Sequence, residues 1–200
     1  VPAARGGHHN VFFRTPDHDR VPNQEAVYLT ELYEGLHEKN NPEDVLIIPH
    51  AHQPGDWTTN DPKLEKLVEM YSMHGSFEWF GNMYLKHGHE IGFVAASDDH
   101  RGHPGYSGTL KRGSLSQFGG LAAVIASQKT TDAIFSVLRN LSVYATSGKR
   151  IILDVNLNGY AAGTRQPFTS ERRLFCRAIG TAPIESIDII KNGDVIFSRE

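Results

Sequence analysis

The chain has 200 residues, a formal net charge of −3, and a composition that is 39% hydrophobic and 22% charged. Such a composition argues against a disordered chain, and the lack of a basic run argues against general nucleic-acid binding. The single cysteine, Cys176, excludes an internal disulfide framework and a zinc site built from several cysteines. No apolar stretch reaches the roughly 20 residues that a membrane-spanning helix needs.

Within the first 149 residues, strand-like and helix-like segments alternate. The strand-like segments are short apolar runs, and they cover residues 10–14, 45–49, 91–96 and 119–126. Helical spacing or capping residues mark residues 23–39, 76–88 and 130–142. Residues 61–72 begin like a helix, with Asp61 as its cap and Pro62 in the first position, and end on "LVEMYS", which suits a strand. The alternation predicts a parallel α/β architecture with its active site at the C-terminal ends of the strands.

From about residue 150 the sequence changes to short alternating runs joined by Gly and Asn-Gly turns. The run "IDIIKNGDVIF", residues 187–197, predicts a β-hairpin, because Asn192 and Gly193 both tolerate the positive φ of a tight turn. We therefore predict two parts. The first is the α/β part in residues 1–149, and the second is a β-rich, sandwich-like segment in residues 150–200, either complete or cut short at Glu200.

Potential metal ligands accompany three of the apolar runs. They are His50 and His52 after "VLIIP", Glu69 within and His74 after "LVEMYS", and Asp98 and His100 after "GFVAAS". His50 and His74 are 24 residues apart, and His74 and His100 are 26 apart, which fits strand-plus-helix units returning to one rim of a sheet. In extended backbone, Asp98 and His100 point to the same side. Imidazole and carboxylate ligands together suit zinc, manganese or iron.

Each motif alone has a simpler explanation. A single His-x-His arises by chance, and "SDDH" also suits a turn or a helix cap. Glu69 also suits a solvated helix position, and Arg101 suits either an ordinary surface role or a bidentate contact with a phosphate group. The placement of all these motifs after apolar runs is what favours a metal site. No Gly-rich phosphate-binding fingerprint or Gly-x-Ser-x-Gly nucleophile elbow occurs in the sequence.

Several segments resemble an uncharacterised family of the PHP (polymerase and histidinol phosphatase) superfamily of metal-dependent hydrolases. The resemblance is carried by "IIPHAH", "LVEMYSMHGSFE", "GFVAASDDHRGHPG", "GGLAAVIA", "YATSGKRI" and "IDIIKNGDVI". Among these, "SDDHRGHPG" and "YATSGKRI" are the most specific. The resemblance implies a distorted TIM-like (β/α)7 barrel, partial in this chain, followed by the β-rich segment. It also implies two or three divalent ions, zinc, manganese or iron, at the C-terminal rim of the barrel.

The resemblance further implies which residues bind the metal. The implied ligands are His8, His50, Asp98 and His100, together with Glu69 or His74, between which the resemblance does not decide. The superfamily opens with a His-x-His strand and a Glu ligand, and neither has a counterpart in this chain. The chain therefore looks like the C-terminal part of a longer protein, and we expect a missing N-terminal segment or a second chain to complete the site.

These observations predict a metal-dependent hydrolase, in the first place a phosphoesterase for a small phosphorylated molecule, without a nucleic-acid or membrane partner. His52, His74 and Arg101 are the candidate catalytic residues: the histidines as acid–base groups or further ligands, and the arginine as a phosphate contact. Two alternatives stay open, namely a metal-dependent amide or lactone hydrolase and a non-catalytic metal-binding or carbohydrate-associated interaction module. The compartment, cytoplasmic or exported, also stays open.

Overall fold

The structure is a computed structural model that describes residues 2–3, 6–22, 24–50, 55–100, 102 and 118–200. The helices are α1 (Leu29–Lys39), α2 (Glu78–Lys86) and α3 (Thr131–Arg139). The strands up to α3 are β1 (Pro2–Ala3), β2 (Gly7–Phe13), β3 (Val45–Pro49), β4 (Leu67–Ser72), β5 (Gly75–Ser76), β6 (Gly92–Ala95) and β7 (Leu121–Val124). The later strands are β8 (Val143–Thr146), β9 (Ile152–Leu157), β10 (Tyr160–Ala161), β11 (Leu174–Ile179), β12 (Ile187–Lys191) and β13 (Asp194–Arg199).

Strand β3 lies between two apolar clusters, which explains why all five of its residues are apolar and buried. On one face, Val45 and Ile47 pack with the apolar side of α1. On the other face, Leu46 and Ile48 pack with a second cluster from β4, β6, α3 and β8, consisting of Leu67, Val94, Phe135 and Val143. The strand predicted for residues 45–49 is therefore present, and apolar side chains cover both of its faces.

Helix α1 forms because its apolar residues recur at helical spacing and its first turn is capped. Its buried residues are Leu29, Leu32, Tyr33 and Leu36. The carboxylate of Glu31 accepts hydrogen bonds from the backbone N–H groups of Val27 and Tyr28, at 2.8 and 2.9 Å, before the first turn. This capping explains why the helix begins at Leu29, six residues later than predicted.

Helix α3 is fixed to the centre of the fold by Arg139, whose side chain is only 7% exposed. Its guanidinium group donates hydrogen bonds to the backbone carbonyl of Val45 and, at 3.0 Å, to that of Lys63. It also pairs with the carboxylate of Glu43 at 3.1 Å. A single buried cation thereby joins α3, the start of β3 and the turn that precedes β4.

The predicted parallel α/β architecture and its (β/α)7 barrel are wrong for the described residues, which are rich in strands and form several small sheets. Strand β2 pairs antiparallel with β3, and β7 pairs antiparallel with β8. Parallel pairing joins β4 to β6, and isolated parallel bridges join residues 47 and 50 to residues 65 and 69. Residues 62–64 form a turn where the sequence predicted the start of a helix, and the described residues between β3 and β4, 50 and 55–66, contain no helix. A barrel needs such crossover helices between consecutive parallel strands.

Residues after 150 form the β structure that the sequence predicted. Strand β9 pairs with β10 and β11, and β12 and β13 form the predicted hairpin. Asn192 and Gly193 both have positive φ in its turn, at 54° and 92°. Many apolar side chains here are exposed, including Phe168, Ile190, Val195, Ile196 and Phe197. The division of the chain into two parts near residue 150 stays a prediction.

None of the described helices has the length and hydrophobicity of a membrane span.

Candidate metal centre

The candidate site lies where three central strands end. His50 directly follows β3, His74 lies in the tight turn between β4 and β5, and Asp98 and His100 follow β6. Because β4 and β6 run parallel as neighbours, their C-terminal ends lie side by side. The isolated bridge between His50 and Glu69 brings the end of β3 to the same place. The convergence that the sequence predicted therefore occurs, although it does not occur on a barrel.

The carboxylate of Asp98 is the centre of this arrangement. Its Oδ2 lies 3.0 Å from Nε2 of His74 and 3.8 Å from Nδ1 of His50, and its Oδ1 lies 3.3 Å from Nε2 of His100. The side chain of Asp98 is 12% exposed, whereas that of His100 is 67% exposed. One ligand atom from each of His74, Asp98 and His100 lies within 4.8 Å of the others. The cluster is thus open to solvent on the His100 side.

The backbone at Asp98 brings these groups together in a way that the sequence did not predict. Asp98 has a φ of 50°, in the left-handed region, which aspartate tolerates better than most residues. Extended backbone, in which Asp98 and His100 would point to the same side by alternation, therefore does not continue past Ser97. Asp98 and His100 meet because the chain turns after β6, and the hydroxyl of Ser97 accepts a hydrogen bond from the Asp99 N–H in that turn.

Glu69 lies in β4 beside this cluster and is 3% exposed. Burial, together with the negative charge of Asp98, raises the pKa of the Glu69 carboxyl to about 8. A nearby cation would act in the opposite direction, because it favours the ionised carboxylate. Glu69 is not one of the three residues whose ligand atoms lie within 4.8 Å of one another.

The other predicted site residues are His8, which lies beside the cluster, and His52 and Arg101, whose positions are not described. The ring of His8 lies 6.2 Å from the ring of His50, centroid to centroid, so His8 is a neighbour of the cluster. Asn10, which the sequence analysis did not consider, lies two residues further along β2, and its Nδ2 is 2.6 Å from Nε2 of His50. Alternation along β2 places Asn10 on the same face as His8 and was the signal that could have found it. His52 and Arg101 lie outside the described residues.

The donor set and its spacing suit a divalent cation. Bonds of about 2.0–2.2 Å at tetrahedral angles place neighbouring ligand atoms about 3.4 Å apart. The three nitrogen-to-oxygen distances around Asp98 range from 3.0 to 3.8 Å and bracket this value. Imidazole nitrogens with a carboxylate oxygen are also ligands that zinc, manganese and iron accept. His74, Asp98 and His100, with His50 beside them, are the residues that would hold the ion.

A second polar cluster lies inside the protein around Glu65, which is completely buried. Tyr33 donates a hydrogen bond to its carboxyl at 2.5 Å, Asn60 donates another at 3.2 Å, and Nε2 of His9 lies 3.8 Å away. Burial raises the pKa of Glu65 to about 7 and lowers the pKa of His9 to about 4. The sequence analysis missed this cluster, because its members lie far apart along the chain and outside any motif.

Comparison with known proteins gives similarity without a described function. Residues 86–164 match a family described as "Protein of unknown function (DUF3604)". An uncharacterized protein of Chlamydia pneumoniae is 25% identical over 214 residues, covering 92% of this chain and 34% of that protein. One of Chlamydia trachomatis serovar D is 26% identical over 194 residues, covering 82% of this chain and 31% of that protein. An uncharacterized protein of Chlamydia muridarum is 30% identical over 120 residues, covering 57% of this chain and 19% of that protein.

The chain therefore spans about a third, or less, of the length of these relatives. No solved structure matches the chain.

Proposed function

We propose that this chain contributes a divalent-metal site to a hydrolase. The observation that carries the proposal is the convergence of His74, Asp98 and His100, whose ligand atoms lie within 4.8 Å of one another. A bound divalent cation would supply Lewis acidity, lowering the pKa of water and polarising a phosphoryl or carbonyl oxygen. The protein's own contribution is to hold the ligands on the ends of packed strands, with one side of the cluster open to solvent.

The charge of the cluster favours an anionic substrate, and we propose a phosphoester. The imidazoles of His50, His74 and His100 are uncharged when they act as ligands, and Asp98 contributes one negative charge. A divalent cation in this set leaves a net positive charge, which attracts anions such as phosphate esters. This net charge is positive only while the buried carboxyl of Glu69 is protonated, and ionisation of Glu69 beside the cation would bring it to zero. A small phosphorylated molecule fits this balance better than a neutral amide or lactone.

The metal content of the purified protein tests the proposal first. We expect at least one equivalent of zinc, manganese or iron per chain in the wild-type protein, and a loss of most of it in Asp98→Asn, which keeps the shape of the side chain. His74→Ala is the second variant, and His87→Ala is its matched control. His87 is exposed at the end of α2, bonds to the backbone carbonyl of Met83 at 2.9 Å, and is not one of the clustered ligand residues. Unchanged metal content in Asp98→Asn and His74→Ala would refute the metal site.

Turnover of model substrates tests the chemistry separately. We expect the metal-loaded protein to hydrolyse aryl phosphomonoesters or phosphodiesters faster than aryl amides and lactones, and Asp98→Asn to abolish that activity. Preferential hydrolysis of amides or lactones would assign the site to the alternative chemistry. Stable metal binding without turnover on any substrate class, in a protein that also carries the segment expected to complete the site, would favour the non-catalytic binding module instead.

A further inference from the structure

The side chain of Asn10 makes a close contact with one of the proposed ligands. Asn10 is on β2, and its Nδ2 lies 2.6 Å from Nε2 of His50. The two residues are held in place by the backbone, because the N–H of His50 donates to the carbonyl of His8 at 2.9 Å and Asn10 stands opposite Ile48 in the β2–β3 ladder. The contact is therefore built into the register of two paired strands.

This contact decides which ring nitrogen of His50 faces Asp98. With Nε2 bonded to Asn10, Nδ1 is the nitrogen directed to Asp98, whose Oδ2 is 3.8 Å away. A neutral imidazole has one donor and one acceptor nitrogen. When the amide N–H of Asn10 donates to Nε2, the ring proton must be on Nδ1, where it points to the carboxylate.

We propose that Asn10 is a positioning residue that sets the orientation and tautomer of His50. The part of this inference that concerns metal rests on the function proposed above. Histidines that bind a metal through one nitrogen usually donate the N–H of the other nitrogen to a carbonyl or carboxylate. An asparagine amide carries both a donor and an acceptor, so Asn10 can bond to Nε2 of His50 whether or not that nitrogen is protonated.

Two substitutions at residue 10 distinguish the loss of the hydrogen bond to His50 from a change of the His50 tautomer. Leucine has nearly the shape of asparagine but neither donor nor acceptor, so Asn10→Leu removes the hydrogen bond between residue 10 and Nε2. An ionised aspartate accepts hydrogen bonds but cannot donate them. Asn10→Asp therefore stabilises the proton on Nε2 and leaves Nδ1 available as a ligand. Asn82→Leu is the matched control, because Asn82 is an exposed residue in the middle of α2.

The tautomer is measured without metal, by long-range ¹H–¹⁵N NMR of the chelator-treated protein at about pH 9, where free imidazole is neutral. We expect the Nδ1–H tautomer of His50 in the wild-type protein and in Asn82→Leu. The Nε2–H tautomer is expected in Asn10→Asp, and loss of the Nδ1–H preference in Asn10→Leu. The same tautomer in all four proteins would refute the inference.

Zinc affinity, measured by competition with a chromophoric chelator, is the second readout. We expect Asn10→Leu to bind zinc about 10- to 100-fold more weakly than wild type, as is typical when the hydrogen-bond partner of a metal-binding histidine is lost. Asn10→Asp is expected to stay within a few-fold of wild type. Equal affinity of wild type and Asn10→Leu would refute the positioning role at the metal. If wild type binds no zinc, the proposed function fails, while the tautomer measurement still decides the role of Asn10.

Discussion

The buried carboxyl of Glu65 predicts a specific pH dependence of stability, which the variant Glu65→Gln can isolate. The folded-state pKa of Glu65 is raised to about 7 from an ordinary value of 4.5, because the side chain is completely buried. The folded protein therefore binds more protons than the unfolded chain between these two values. The free energy of unfolding contributed by this group must consequently fall as the pH rises from about 4.5 to 7.

The size of this effect follows from the pKa difference. One pKa unit corresponds to about 1.4 kcal/mol, so the change from 4.5 to about 7 amounts to about 3 kcal/mol. Glutamine resembles the protonated carboxyl in shape and has no titration of its own, so Glu65→Gln removes this dependence. Below about pH 4.5 the carboxyl is protonated in both the folded and the unfolded state, and the difference between the two proteins no longer changes with pH.

The assay is urea unfolding, followed by circular dichroism at several pH values between 4 and 8 in the presence of a chelator. We expect the difference in unfolding free energy, wild type minus Glu65→Gln, to decrease by about 3 kcal/mol between pH 4.5 and 7. His9 changes the unfolding free energy of both proteins with pH, in the direction opposite to Glu65. Its pKa is lowered to about 4, so the stability that it contributes is lost as the pH falls from 6.5 to 4. Parallel stability curves for the two proteins would refute the reasoning about Glu65.

Three further changes should alter stability measurably in the same unfolding assay. Arg139→Met should cost about 2–4 kcal/mol, because it removes the hydrogen bonds to the carbonyl groups of Val45 and Lys63. Arg177→Met is the comparison: it removes an exposed ion pair with Asp154 and should cost less than about 1 kcal/mol. Gly81→Ala should cost about 1–3 kcal/mol, because the added Cβ would lie 2.4 Å from the ring of Phe93. Tyr33→Phe should cost about 1–3 kcal/mol through its lost hydrogen bond to the buried carboxyl. A cost within 0.5 kcal/mol of zero for Arg139→Met, Gly81→Ala or Tyr33→Phe would contradict the explanation given for that variant.

Local features of the fold were predictable from the sequence because they depend on a few neighbouring residues. The all-apolar run of β3 requires cover on both faces, and the Asn192–Gly193 turn requires positive φ. The direction in which strands pair was not predictable in the same way. Strand β3 looks the same in sequence whether its partner β2 runs parallel or antiparallel to it, and the antiparallel choice depends on contacts between residues more than 30 positions apart.

For the candidate site, the sequence predicted which segments converge but not how they do so. His50, His74, Asp98 and His100 were predicted together because each follows an apolar run, and they do lie together. The positive φ of Asp98 was not predictable, because "SDDH" is compatible with a turn, a cap or an extended segment. Alternation along β2 places Asn10 on the face of His8, but its contact with His50 also depends on the β2–β3 register, which no local pattern specifies.

The exposed hairpin of β12 and β13 has a practical consequence for experiments on this chain. Its side chains Val195, Ile196 and Phe197 are each more than half exposed, in a run of high β-propensity. Strands of this kind readily add to strands of other molecules, so self-association should increase with protein concentration. Metal titrations and unfolding curves are therefore best recorded at several low concentrations and compared, since oligomers would broaden both and imitate weak binding.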